Sequence, residues 1–182
     1  YGDRAHVHLA PTRISHETVG RIEDAIGAIE SAGSTYMEAG LSLGFELARS
    51  SMKDFDGTTR LMLFTDERPN VGNTEAEGFM GMAEAASRDG IGMTKIGVGG
   101  QFGAGLATRI SSVRGGNLYF FPDGDEMKKT FAEDFDTMVT ELAHDLSIRI
   151  EPAPGLRVAG VFGLPADLLR WDGDAIVMEV AT

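Results

Sequence analysis

Short apolar segments that read as buried strands alternate with helical segments through most of this chain. The run LMLF at 61–64 is wholly apolar and is bounded by polar residues, which is typical of a strand buried on both faces of a parallel sheet. Segments 92–98 and 117–121 also read as strands, and helical segments separate the three. This alternation predicts an α/β fold, a doubly wound and mainly parallel sheet with helices on both faces.

Apolar residues spaced three and four apart predict the helices. They give one helix with a stripe over 19–29, a second that starts at Thr35, and further helices at 79–86, 106–113 and 125–146. Residues 4–10, closed by Pro11, are predicted to form an opening strand.

The last 36 residues differ in pattern from the rest. Three strands are predicted there, at 147–151, 156–162 and 175–180, with proline and glycine between them. We therefore expect two units: residues 1–146 form the α/β domain, and residues 147–182 form a β-strand appendage that is part of a second small β unit.

The charge balance excludes several classes of function. The chain has 28 acidic and 16 basic residues and a net charge of −12, whereas nucleic-acid binding needs a basic footprint. No apolar run reaches the roughly 18 residues of a membrane span, so neither nucleic acid nor a bilayer is an expected partner. The absence of cysteine excludes thiol catalysis and cysteine-ligated zinc. Nothing in the composition indicates a compartment.

Asp66 and Thr35 are the candidate site residues. Asp66 follows the apolar run at 61–64 after one intervening residue, Thr65, and Thr35 opens the preceding helix. Ligands of open α/β sheets bind where the loops leave the carboxyl ends of the strands. A carboxylate and a hydroxyl in such a crevice suit a hard cation such as Mg²⁺.

Four segments, in this order and spacing, resemble the von Willebrand factor type A domain, and the bacterial stand-alone members most of all. They are STYMEAGL at 34–41, LFTD at 63–66, IGVG at 96–99 and GNLYFF at 116–121. The resemblance covers about residues 1–146. It implies a protein-binding, adhesion-type module rather than an enzyme.

The family typically carries a metal-ion-dependent adhesion site, built from a D-x-S-x-S motif after the first strand, a later threonine and an aspartate that ends a central strand. By this resemblance Thr35 and Asp66 are metal ligands, with Ser34, Glu67 and Glu38 at the rim. The implied cation is Mg²⁺, with Mn²⁺ or Ca²⁺ as substitutes. A partner protein would complete its coordination with an acidic residue.

The chain departs from the family pattern in two ways. It contains no D-x-S-x-S motif, so we expect the first strand and its motif to lie before Tyr1, with residues 4–10 as the family's second strand. Glu67 stands where many members have glycine. The implied cation belongs to the intact protein, and whether this chain alone binds it stays open. With that strand absent we expect self-association through exposed sheet edges.

Other interpretations of the same residues remain open. Thr35 followed by Glu38 is a capping box, a role that can coexist with metal binding. A degenerate metal site would make the domain a metal-free structural scaffold. A third hypothesis is a Mg²⁺-dependent phosphoryl-transfer enzyme with Asp66 at its centre, which lacks a well-placed lysine.

Overall fold

The protein is described from a computed structural model, which covers residues 1–30, 33–66, 69–99, 113–140, 143, 146–162 and 168–180. The helices of this part of the chain are α1 (Val19–Gly27), α2 (Met37–Ser51), α3 (Ala76–Arg88) and α4 (Gly124–Val139). The strands are β1 (Thr59–Thr65), β2 (Ile91–Val98), β3 (Gly116–Phe121), β4 (Leu146–Ile150), β5 (Leu169–Asp172) and β6 (Ala175–Val180).

Strands β1, β2 and β3 form a parallel sheet in sequence order. Leu63 pairs with Lys95, and Lys95 pairs in turn with Leu118. Because all three strands run the same way, their carboxyl ends meet at one edge of the sheet. Asp66 lies at this edge, directly after β1. The predicted α/β architecture with a parallel sheet is confirmed.

Two layers of helices cover this sheet. Helices α2 and α3 pack on one face, where Leu41, Phe45 and Phe79 are buried against Leu63 and Met93. Helix α4 packs on the opposite face. The side chains of β2 alternate between these two cores, as a strand covered on both faces requires.

The core on the α4 face is smaller and rich in aromatic residues. Met138 of α4 is buried there with Ile96 and Phe121. Phe131 lies with its ring centroid 5.8 Å from that of Phe64 and 6.4 Å from that of Phe121. Phe64 nevertheless stays about half exposed, because it lies on β1 at the rim of this layer.

The second sheet is antiparallel, with the order β4-β6-β5. Its register places Ile148 beside Met178, and Trp171 and Ile150 on either side of Ile176. These residues share one face, whereas Arg149 and Asp172 share the other and form an ion pair with 2.6 Å between Nη1 and Oδ2. The sheet is therefore amphipathic.

Several sequence predictions about local structure are wrong. Residues 4–10 and 156–162 are not strands. Neither segment pairs with a strand in the described part of the chain, and a strand needs such pairing for its backbone hydrogen bonds. The second predicted helix starts at Met37 rather than at Thr35, and the long helix ends at Val139.

The remaining predictions concern helix α1, the predicted short helix, membrane spans and the boundary between the two units. Helix α1 forms as predicted but has no buried residue, so its apolar stripe is largely exposed. Residues 106–112 of the predicted short helix lie outside the described residues. No helix in the described ranges is both long and apolar enough to cross a membrane. The boundary between residues 146 and 147 stays a prediction.

Candidate functional site

Asp66 is an exposed side chain directly after β1. The hydroxyl of Tyr1 donates a hydrogen bond to the carbonyl oxygen of Phe64, at 3.3 Å. Burial raises the pKa of this hydroxyl, a hydrogen bond with Thr65 works in the opposite direction, and the negative charge of Asp66 raises it further. Tyr1 therefore lies within electrostatic reach of Asp66 at the carboxyl edge of the sheet.

Thr35 is buried and is tied to the loop that follows Asp66. Its amide donates to Oδ1 of Asn70, at 2.7 Å, and the amide of Asn70 donates back to the carbonyl oxygen of Thr35, at 3.2 Å. The structure therefore places the two predicted ligands on connected loops, because Asn70 lies only four residues after Asp66.

Ser34 is held by the amino-terminal segment. Its amide donates to Oδ1 of Asp3, at 3.0 Å, and its hydroxyl donates to the same oxygen. The carbonyl oxygen of Gly2 accepts from the amide of Tyr36, at 3.0 Å. The segment from Tyr1 to Asp3 thus connects the Thr35 loop to the end of β1.

Asp3 is the residue that sequence reasoning missed here. Its partner Ser34 is 31 positions away, and nothing local around Asp3 signals that contact. The resemblance gave this segment no role in the site either.

Glu38 does not form the predicted capping box. Its Oε2 accepts from the amide of Asn73, at 2.9 Å, and Thr35 has its amide bonded to Asn70 instead. The N-cap position belongs to Tyr36, which makes no side-chain cap hydrogen bond. Glu38 therefore fixes the loop after β1 to the start of α2. Glu67, the other predicted rim residue, lies outside the described residues.

The oxygen ligands available at this edge suit a hard cation such as Mg²⁺, but the described set is small. Within the described ranges, no three histidine, aspartate, glutamate or cysteine side chains lie close enough together to hold a metal ion. The hydroxyl of Ser34 is already bonded to Asp3. The Thr35 hydroxyl and the Asp66 carboxylate fit a divalent cation in chemistry, but they form an incomplete ligand set.

The chain is similar to one protein of known sequence and to several solved structures. No profile of a protein family matches the chain. An uncharacterized protein of Escherichia coli K12, YfbK, is 27% identical over 147 residues, which is 80% of this chain and 25% of that protein. The chain thus spans about a quarter of that relative's length.

Solved structures of proximal thread matrix protein 1 from the mussel byssus are similar in fold. One has a TM-score of 0.58 at 20% identity, and the matched region covers 76% of this chain and 33% of the mussel chain. Another, solved with a zinc-occupied MIDAS motif, the metal-ion-dependent adhesion site, has a TM-score of 0.55 at 21% identity, covering 73% and 32%. The parallel sheet, its flanking helices and these neighbours together show a von Willebrand A-like fold.

Proposed function

We propose that this chain is a protein-binding module whose partner contact is made at the carboxyl edge of the parallel sheet. The observation that carries the proposal is the joining of the Thr35 loop to the Asp66 loop through the paired hydrogen bonds of Thr35 and Asn70. The fold supports it, since a structural neighbour carries a metal in its adhesion motif. A non-catalytic role fits these neighbours.

In this proposal Thr35 and Asp66 each contribute one oxygen ligand to a divalent cation, which is Mg²⁺, Mn²⁺ or Ca²⁺. Ser34 lies at the rim, Glu67 stays a predicted rim residue, and Glu38 keeps the loop in place through Asn73. When bound, the cation would supply a positive charge that an acidic side chain of a partner protein can approach. Asp3 positions Ser34 beside this site.

Calorimetric titration of the chain with Mg²⁺ and Mn²⁺ tests the cation site. We expect saturable binding that is lost in Asp66→Ala, because the charged ligand is removed. Asp56→Ala is the matched control: it removes an exposed aspartate between α2 and β1, and it should leave binding unchanged. Equal binding by both variants would contradict the assignment of Asp66.

The partner chemistry is tested separately by fluorescence anisotropy. A labelled peptide with one glutamate should bind in Mg²⁺ and be released by EDTA, whereas its glutamine counterpart should bind at least ten times more weakly. If both peptides bind equally well, or EDTA has no effect, the metal-bridged contact is wrong.

A metal-free scaffold is the second candidate, and one observation favours it. Ser34 and Thr35 are held by direct bonds to Asp3 and Asn70, so the loop needs no cation to keep its shape. Under this alternative, Mg²⁺ and Mn²⁺ give no saturable heat, and neither metal changes the melting temperature of the parent protein or of Asp66→Ala.

A further inference from the structure

A cavity of about 210 Å³ lies at the amino-terminal edge of the parallel sheet, opposite the edge with Asp66. It forms where α3 ends, where β2 begins and where the chain turns into β3. It is lined by Ser87, Arg88, Gly90, Ile91, Gly92, Arg114 and Gly115.

Two arginine residues from separate parts of the chain line this cavity. Arg88 is the last residue of α3, and Arg114 lies two residues before β3. The topology brings them together, because β2 and β3 are parallel neighbours and Met93 pairs with Gly116 at their start. Two like charges at one small cavity, in a chain with a net charge of −12, favour an anion between them.

Among the described residues, no carboxylate lines the cavity. Asp89, next to Arg88 in sequence, forms an ion pair with Arg49, with 2.6 Å between Oδ2 and Nε. The acidic residue next to Arg88 in sequence therefore already has a basic partner, whereas Glu84 lines the neighbouring groove rather than this cavity.

The backbone around the cavity does not oppose an anion. Gly90 and Gly115 have φ of +79° and +74°, a left-handed conformation that glycine adopts most readily, and neither adds a side chain. The carbonyl oxygen of Gly115 already accepts from the amide of Met93, at 2.9 Å, and from Nη1 of Arg60, at 3.1 Å. The hydroxyl of Ser87 is a further hydrogen-bond donor in the lining.

We propose that this cavity binds a tetrahedral oxyanion, either inorganic phosphate or the phosphate group of a small monoester. Guanidinium groups bind such anions through paired, charge-assisted hydrogen bonds. A shallow groove of about 320 Å³ shares both arginines and adds Met80, Val113 and Glu84. Its apolar side chains suit the organic part of a monoester, and Glu84 would repel a second phosphate.

Calorimetry at pH 7.5 tests the proposal, with sodium phosphate as titrant and ionic strength held constant with sodium chloride. We expect one saturable site, weakened at least tenfold by Arg88→Gln and by Arg114→Gln. Arg157→Gln removes an exposed arginine outside the cavity and should change nothing. Asp66→Ala should also bind phosphate normally, because its site lies at the other edge of the sheet.

Glycerol 3-phosphate distinguishes the two sources of the anion. Tighter binding than inorganic phosphate indicates that the monoester also occupies the groove, whereas equal binding indicates that the anion alone is recognised. A second readout is the melting temperature, which phosphate should raise in the parent protein and not in the two cavity variants. The proposal is overturned if phosphate gives no saturable heat, or if either cavity variant binds it as tightly as the parent.

Discussion

Asn70 and Thr35 exchange two hydrogen bonds, one through the side-chain amide of Asn70 and one through its backbone. Only the first depends on the identity of residue 70. We predict that Asn70→Ala lowers the free energy of unfolding by about 1–2 kcal/mol, because the amide of buried Thr35 loses its acceptor. Urea denaturation followed by circular dichroism measures the change.

Asn73→Ala is the matched control for that variant. Asn73 lies in the same loop, and its Oδ1 accepts from the amide of Glu75 in an exposed position, where water can replace the lost acceptor. Asn73→Ala should therefore lower the free energy of unfolding by less than Asn70→Ala does. If the two variants lose the same free energy of unfolding, the hydrogen bond from Thr35 to the Asn70 side chain stabilises the protein no more than the exposed hydrogen bond of Asn73.

Two glycines inside helices should respond in opposite ways to alanine. Gly81 of α3 has open space where a Cβ would lie, whereas a Cβ on Gly44 of α2 would lie 2.8 Å from Cδ1 of Leu61. Gly81→Ala should stabilise the protein by about 0.5–1 kcal/mol through helix propensity. Gly44→Ala gains the same propensity but displaces Leu61, so it should be less stable than Gly81→Ala by about 1–3 kcal/mol. Chemical denaturation measures the free energy of unfolding of both variants. Equal values would contradict the close approach of α2 to β1.

Lys95 is buried in β2, and burial lowers the pKa of its ammonium group to about 8. In the unfolded chain a lysine keeps its proton up to about pH 10.4. Between these values the unfolded state binds more protons, so stability should rise as the pH increases from about 8 to about 10. Below pH 8 the folded state carries the full cost of the buried charge.

Lys95→Met removes this titration. The difference in urea midpoint between the parent and the variant should therefore shift in favour of the parent as the pH rises from 7 to 10. A difference that stays constant across this range would mean that the Lys95 ammonium group is not perturbed by burial.

Strand β1 has β2 as its neighbour, and in the described sheet its other edge has no strand beside it. An open edge of this kind invites pairing with a second chain, so we expect association that increases with concentration in static light scattering. Phe64→Lys places a charge beside this edge and should weaken association at least fivefold. Phe162→Lys, at a highly exposed position outside the sheet, should not. A monomer at all concentrations would contradict the expectation.

The sequence predicted those parts of the fold in which burial follows directly from apolar spacing. Strands β1 to β3 and helices α2 to α4 were expected near their observed positions. Residues 4–10 have the composition of a strand but pair with no strand in the described part of the chain, and a local sequence pattern cannot reveal whether a pairing partner exists. Strand β5 was missed, although Gly173 at φ +63° and Asp174 form a two-residue hairpin turn between it and β6 that the Gly-Asp dipeptide signals.

The candidate site was predictable to a smaller extent. The rule that ligands bind at the carboxyl ends of strands, with the family resemblance, directed attention to Thr35 and Asp66. The bonds of Asp3 to Ser34 and of Asn70 to Thr35 connect residues more than 30 positions apart. The local pattern of Thr35 and Glu38 favoured a capping box, in which the Glu38 side chain accepts from the amide of Thr35. In the structure the distant residue Asn70 is that acceptor instead.

The connection from Tyr1 to the end of β1 has a consequence for the order of folding. It closes a loop of 63 residues, whereas β5 and β6 are joined by a turn of only two residues. Contacts between distant residues form more slowly than local ones, because more chain entropy is lost before they are made. We expect the β5–β6 hairpin to form early and the Asp66 edge to assemble last, so any ligand captured there would recognise only the completed domain.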